Sequence, residues 1–295
     1  MIAGNVNRAA AALLLAVAPV FAQMDFAGDW APVQDEDDTG NPRIGEYIGI
    51  PLSHASLLRT EAWEGSYQTL PEWQCRPHGA MYISRGPSQV RIWKEVDPVS
   101  RLITAWHAEW LRSIDNPYYM DGRPHPSQYA VHTWGGFSTA EYHGELLKIH
   151  TTHLKEDYYR RNGVPSSDEA TLVQYWLRRG DYLTWVTISY DPIYLTEPMI
   201  RSSEYRLALN QQIPPYPCDV VEEVVRKRGV VPSNLPGKND ALDDFAKHYD
   251  LPMEATLGGA ATMYPELARK IEREKNHLPP KTASNAAQPA RNGQR

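Results

Sequence analysis

Between residues 89 and 207 the apolar side chains recur with a period of two, in run after run broken by short turn signals, and this pattern confines the chain to antiparallel β architecture. The run 91–96 ends at Asp97-Pro98. The run 102–110 then sets Leu102, Trp106 and Trp110 on one face against His107 and Glu109 on the other, so the two read as a hairpin. Further strands are expected at 137–142, 146–154, 171–178, 182–190 and 199–207, separated by His143-Gly144, Asn162-Gly163, Arg179-Gly180-Asp181 and Asp191-Pro192. With no helices alternating between them, these strands predict an up-and-down, calycin- or lipocalin-like barrel, with a β-sandwich as the alternative. An aromatic-glycine-aromatic first strand is expected at 25–30. A helix is expected at 53–63, capped by Ser53.

Residues 9–18 form a short apolar run behind the single charge of Arg8, with small residues at Ala18, Val20 and Ala22, which is the layout of an export signal cleaved near Gln23. Export to the periplasm or beyond is the expected localisation, with no membrane span. The two cysteines, Cys75 and Cys218, would then form a disulfide closing a loop of 143 residues. Two unpaired buried thiols are the alternative. After Cys218 the pattern becomes helical at 220–228, 240–249 and 265–275. This predicts an appendage over 220–277 that packs back through Leu242, Phe245 and Leu251, followed by a polar tail at 278–295.

A net charge of -6 argues against nucleic acid as the main partner, and nine Trp and 17 Tyr against only four Phe suit a ligand-lined cavity. A small-molecule ligand or substrate is therefore the expected partner. Six of the ten histidines lie between His107 and His153, beside Asp121, Arg123, Asp168 and the pair Arg160-Arg161. Three readings compete for them. His125, His132 and His153 could bind a divalent metal such as zinc, although their spacing matches no compact ligand motif. His125 and His153 could instead transfer protons, with Asp121 or Asp168 orienting them and Arg123 neutralising developing negative charge. Trp106, Trp134, Arg160 and Arg161 would then contact the substrate, the arginines as a clamp for a carboxylate or sulfate. In the third reading Asp121-Gly122-Arg123 is a plain turn and the histidines are hydrogen-bonded structural residues. Strand parity puts His153 on the inward face with Leu147, Ile149 and Thr151. A Gly-x-Ser-x-Gly elbow is absent from the sequence, which leaves a serine triad without support.

The segments Phe26-Ala27-Gly28-Asp29-Trp30, Cys75-Arg76-Pro77, Met120-Asp121-Gly122-Arg123-Pro124-His125-Pro126, Thr133-Trp134-Gly135-Gly136-Phe137-Ser138 and Thr151-Thr152-His153 together resemble a large family of exported bacterial proteins. The resemblance runs over 25–218, and the Met-Asp-Gly-Arg-x-His-Pro element is its most specific part. It implies a secreted barrel-like domain and favours Asp121, Arg123 and His125 over the other histidines, and no activity comes with it. The reading that follows is an exported enzyme (lyase, isomerase or hydrolase) acting on a small aromatic or planar compound by histidine acid/base chemistry. The alternative is a non-enzymatic binder of small apolar ligands.

Overall fold

The computed structural model describes residues 23–33, 42–85, 89–110, 116–214, 216–221, 224–227 and 229–277. The expected export signal and polar tail lie outside them. The chain is mainly β. Strands β1 (Gly28–Pro32), β2 (Val90–Val96), β3 (Ile103–Glu109), β4 (Pro117–Tyr119), β5 (Phe137–His143), β6 (Leu146–Thr152), β9 (Thr171–Arg179), β10 (Tyr182–Tyr190) and β11 (Met199–Leu207) close into one barrel in the order β1-β11-β10-β9-β6-β5-β4-β3-β2. A hairpin of β7 (Asp157–Arg160) and β8 (Val164–Ser166) stands outside the barrel between β6 and β9.

Neighbouring barrel strands are antiparallel except β4 and β5, which run parallel with Tyr118 opposite Ser138. A parallel pair cannot be joined by a tight turn, so the chain between them, 120–136, becomes a long connection, and it carries the Met-Asp-Gly-Arg-x-His-Pro element. The fold is therefore a closed barrel, but a meander only in part.

Period two accounts for the lumen. Trp176 on β9 and Trp185 on β10 face inward opposite one another, with Trp106 on β3 and Trp30 on β1, and all four are fully buried. Their rings meet edge to face, Trp176 lying 5.0 Å from Trp185 and 6.4 Å from Trp106, and Phe26 fills the space between Trp106 and Trp176 at 5.7 Å from each. Among the described residues the indole N–H groups of Trp176 and Trp185 have no hydrogen-bond partner, and these edge-to-face ring contacts are what surrounds them. A second apolar cluster, including Tyr47, Ile50, Met81, Leu154, Tyr159 and Leu172, joins the β7–β8 hairpin to the barrel.

Among the described residues three α-helices precede β2: α1 (His54–Glu61), α2 (Pro71–Gln74) and α3 (Ala80–Ile83). Ser53 caps α1, its Oγ accepting from the Ser56 N–H at 3.2 Å. Three more lie near the C-terminus: α4 (Asp244–Tyr249), α5 (Met253–Thr256) and α6 (Pro265–His277). Leu242 and Phe245 are buried, Leu242 within the second cluster, and Leu251 is half-buried. The helix expected at 220–228 is a correction: the described residues there are irregular. Four β-branched valines depress helix propensity in that stretch. Its chain is held instead by Glu72, which accepts from the Val224 N–H at 2.7 Å and pairs with Arg226.

Candidate active site

The disulfide Cys75–Cys218 is formed, with the Cα atoms 5.4 Å apart. It pins the end of α2, and the next residues, Arg76-Pro77-His78-Gly79, lead into α3, with Gly79 extended. The β7 strand lies alongside. Between them is a cavity of about 280 Å³ walled by Trp63, Trp73, Tyr158 and Tyr82, with Arg76, His78, Asp157 and Arg161 reaching it. Tyr158 lies 4.9 Å from Trp63 and 5.2 Å from Trp73, ring centre to ring centre, which makes an aromatic wall suited to a planar ligand.

Asp157 sits at the floor. The Gly79 N–H donates to its Oδ2 at 2.8 Å, and Arg76 Nη2 stands 3.4 Å from its Oδ1 while donating to the Glu156 carbonyl at 2.7 Å. The Arg76 guanidinium is clamped between Trp73 and Trp134, 4.1 Å from each ring centre. Burial pushes the Asp157 carboxyl up to about 6, and Arg76 and the backbone N–H groups of Gly79 and Tyr158 only partly oppose it. Burial likewise pushes the Tyr158 phenol well up, which keeps it a neutral hydrogen-bonding wall. His78 stacks on Tyr82 at 4.0 Å and abuts Trp110 at 5.1 Å.

Glycines set this geometry by close approach. A Cβ on Gly79 would stand 2.8 Å from Asp157 Oδ2, and one on Gly163 (φ +91°) would stand 2.3 Å from Trp63 Cγ. Gly163→Ala should therefore displace Trp63. The expected outcome is a destabilisation of roughly 1–3 kcal/mol in urea unfolding together with a changed tryptophan emission spectrum. An unchanged spectrum with unchanged stability would contradict the packing described.

The residues singled out from sequence fall in three places. Arg161 and Trp134 are at the cavity, Arg161 on its wall and Trp134 against Arg76. Arg160, one position before Arg161, pairs with Glu46 at 3.4 Å. Trp106 is locked in the lumen core and contacts no cavity described here. The histidines do gather, but on the outer face of β5 and β6. His125 lies 2.7 Å from Thr152 Oγ1 through Nδ1 and 2.9 Å from Thr139 Oγ1 through Nε2, its ring 4.6 Å from His150. Burial first, then His150 and His153, push the His125 imidazole below its ordinary value.

His153 is a correction to the parity argument. Its backbone turns left-handed (φ +58°) just past the last residue of β6, so the ring leaves the inward face and sets Nε2 2.8 Å from the Ser127 carbonyl. The zinc trio does not fit either. His132 Nδ1 lies 2.8 Å from the Leu154 carbonyl, and both ring nitrogens of His125 and of His153 are engaged. Among the described residues no three His, Cys, Asp or Glu side chains are grouped to hold a metal ion.

Asp121 orients no histidine. It grips Arg123 with both oxygens (Nε at 2.9 and 3.0 Å, Nη2 at 2.6 Å), and Arg123 covers Tyr119 at 3.7 Å. The guanidinium holds the Asp121 carboxyl below its usual value, and Gly122 (φ +70°) turns the chain between them. That is the plain turn among the three readings. Asp168 is exposed between β8 and β9.

Arg76, His78, Asp157, Tyr158, Trp63 and Trp73 were not picked out from sequence. The available signal was Cys75-Arg76-Pro77, which entered as the flank of a disulfide and as part of the family resemblance and not as a site. Asp157 is 78 positions from the Gly79 that binds it, a pairing no local pattern announces. Compared with protein-family models, curated proteins and solved structures, the chain has no match.

Proposed function

We propose that the chain is an exported enzyme acting on a small, planar, anionic aromatic compound by acid/base chemistry, with the cavity beside the Cys75–Cys218 disulfide as its active site. The observation that carries this is the buried Asp157 with its carboxyl near 6, set among Arg76, His78 and an aromatic wall. A carboxyl half-protonated near pH 6 can take a proton from a bound substrate and return it. Arg76 cannot drift, because two indoles hold its plane, so its charge stays fixed where negative charge develops on substrate oxygen. Arg161 adds a second cation at the wall, and Trp63, Trp73 and Tyr158 align the ring. A proton taken by Asp157 from one substrate atom and returned to another gives an isomerase, and a proton taken as a β-leaving group departs with its bonding pair gives a lyase.

The reading is tested with a panel of hydroxylated and carboxylated mono- and bicyclic aromatics, followed by ultraviolet absorbance and mass spectrometry. At least one should be consumed, with kcat falling about 10²–10⁴-fold in Asp157→Asn while binding is kept. A fully active Asp157→Asn protein would sink it. Tight binding of panel members with no turnover would favour the non-enzymatic binder, which the aromatic wall alone could serve.

A further inference from the structure

Behind Tyr82, on the side away from this cavity, three arginines converge. Arg85 follows α3, Arg160 ends β7 and Arg201 lies on β11, and together they reach a smaller cavity of about 100 Å³ that Ser84, Thr187 and Ser189 also line. Their opposition is slight. Glu46 stands 3.4 Å from Arg160, whereas Nε and Nη1 of Arg85 and Nε of Arg201 are buried with no hydrogen-bond partner among the described residues. Burial and the neighbouring Arg201, Arg160 and Arg161 push the Arg85 guanidinium down to about 10, which places these charges within range of one another. Buried guanidinium N–H groups aimed into a void, in a set of like charges, are costly unless something accepts their hydrogen bonds.

We propose that the cavity between Arg85, Arg160 and Arg201 binds a small tetrahedral oxyanion, phosphate or sulfate. Charge and shape both fit. Three guanidinium groups outnumber the carboxylates nearby, Glu46 on Arg160 and Asp191 behind Tyr159, which leaves net positive charge for an oxyanion to neutralise. The free N–H groups suit oxygens arranged around one centre, and the Arg fork is built for such partners. The hydroxyls of Ser189 and Thr187 lie at the same cavity and can donate to the remaining oxygens. A volume of about 100 Å³ is a few water molecules' worth, so an inorganic ion fits without moving the barrel. The site is independent of the acid/base proposal, since Tyr82 lies between the two cavities, with His78 stacked on its ring and Arg85 5.0 Å from its centre.

The test uses the full exported chain with its disulfide intact, in chloride buffer of constant ionic strength. Sulfate and phosphate are titrated in separate arms by calorimetry, with added chloride as the control. Saturable binding of one or both is expected, weakened at least tenfold in Arg201→Met and in Arg85→Met. Arg201→Lys, which keeps the charge but lacks the fork, should be weakened several-fold. Arg123→Met, at the exposed turn, should bind as the parent does. If Arg85→Met fails to fold, Arg201→Met and Arg201→Lys still decide. Absence of any saturable isotherm, or an Arg201→Met isotherm equal to the parent's, would overturn the site.

Discussion

Replacing Cys75 and Cys218 together by serine should lower the unfolding free energy by several kcal/mol. The bond ties the end of α2, between β1 and β2 in the chain, to the segment just after β11, and so encloses every barrel strand except β1 in a covalent loop of 143 residues. Chain entropy alone gives roughly 4–5 kcal/mol for a loop of that length, and native strain or residual structure in the unfolded chain reduces the figure, so about 2–5 kcal/mol is expected. The loss should be felt first at the cavity. Trp73 and Arg76 lie close to Cys75, and the chain after Cys218 also meets α2 where Glu72 accepts from Val224 and pairs with Arg226. Urea unfolding followed by tryptophan fluorescence measures the effect. A loss under about 1 kcal/mol would show that the noncovalent contacts alone hold this edge.

The second large effect is a pH dependence centred on Asp157. Its carboxyl lies near 3.8 in an unfolded chain and near 6 when folded. Between those values the folded protein holds a proton that the unfolded chain has released. Stability from this group therefore falls as pH rises from about 4 to about 6 and is level above. A separation of about two pH units corresponds to roughly 3 kcal/mol. Asp157→Asn removes the titration, and its amide oxygen can still accept from the Gly79 N–H. The difference in unfolding free energy between the two proteins should therefore move by up to roughly 3 kcal/mol in favour of the variant from pH 4 to pH 7. Parallel stability curves would mean that Asp157 is ionised in the folded state across the whole range.

Much of the fold was legible because a half-buried strand has to alternate. Leu183, Trp185 and Thr187 on β10 point inward with the parity that the sequence shows, and the β9–β10 hairpin turns at Gly180 (φ +61°), where a turn signal stood. Ser53 marked the start of α1 for the same local reason. Parity failed where the backbone left the strand, at His153. The helical expectation failed at 220–228, where four valines lower helix propensity. Three-residue β4, which begins with Pro117, carries too little pattern to be seen, and its parallel pairing with β5 has no local signature.

The site was harder to read than the barrel. Histidine crowding on β6 and its neighbours was a true feature of the sequence, but it maps to hydroxyl and carbonyl partners on an outer face. Of the tryptophans expected at the ligand, Trp134 lies against Arg76 and Trp106 does not reach the cavity, and the tryptophans as a whole divide in two. Trp106, Trp176 and Trp185 fill the lumen, while Trp63 and Trp73, from the segment before β2, form the wall that a ligand can reach. The distinction depends on Gly163 pressing against Trp63 and on Cys218 reaching back to Cys75, both long-range contacts.

A crystal structure of the protein soaked with 1-naphthoate tests the central claim most directly. The account predicts the naphthalene ring between Trp63, Trp73 and Tyr158, with its carboxylate turned toward Arg76 and Arg161 and within reach of Asp157. A naphthoate bound instead at the histidine group around His125, or among the lumen tryptophans, would contradict it, as would a cavity left empty at saturating ligand.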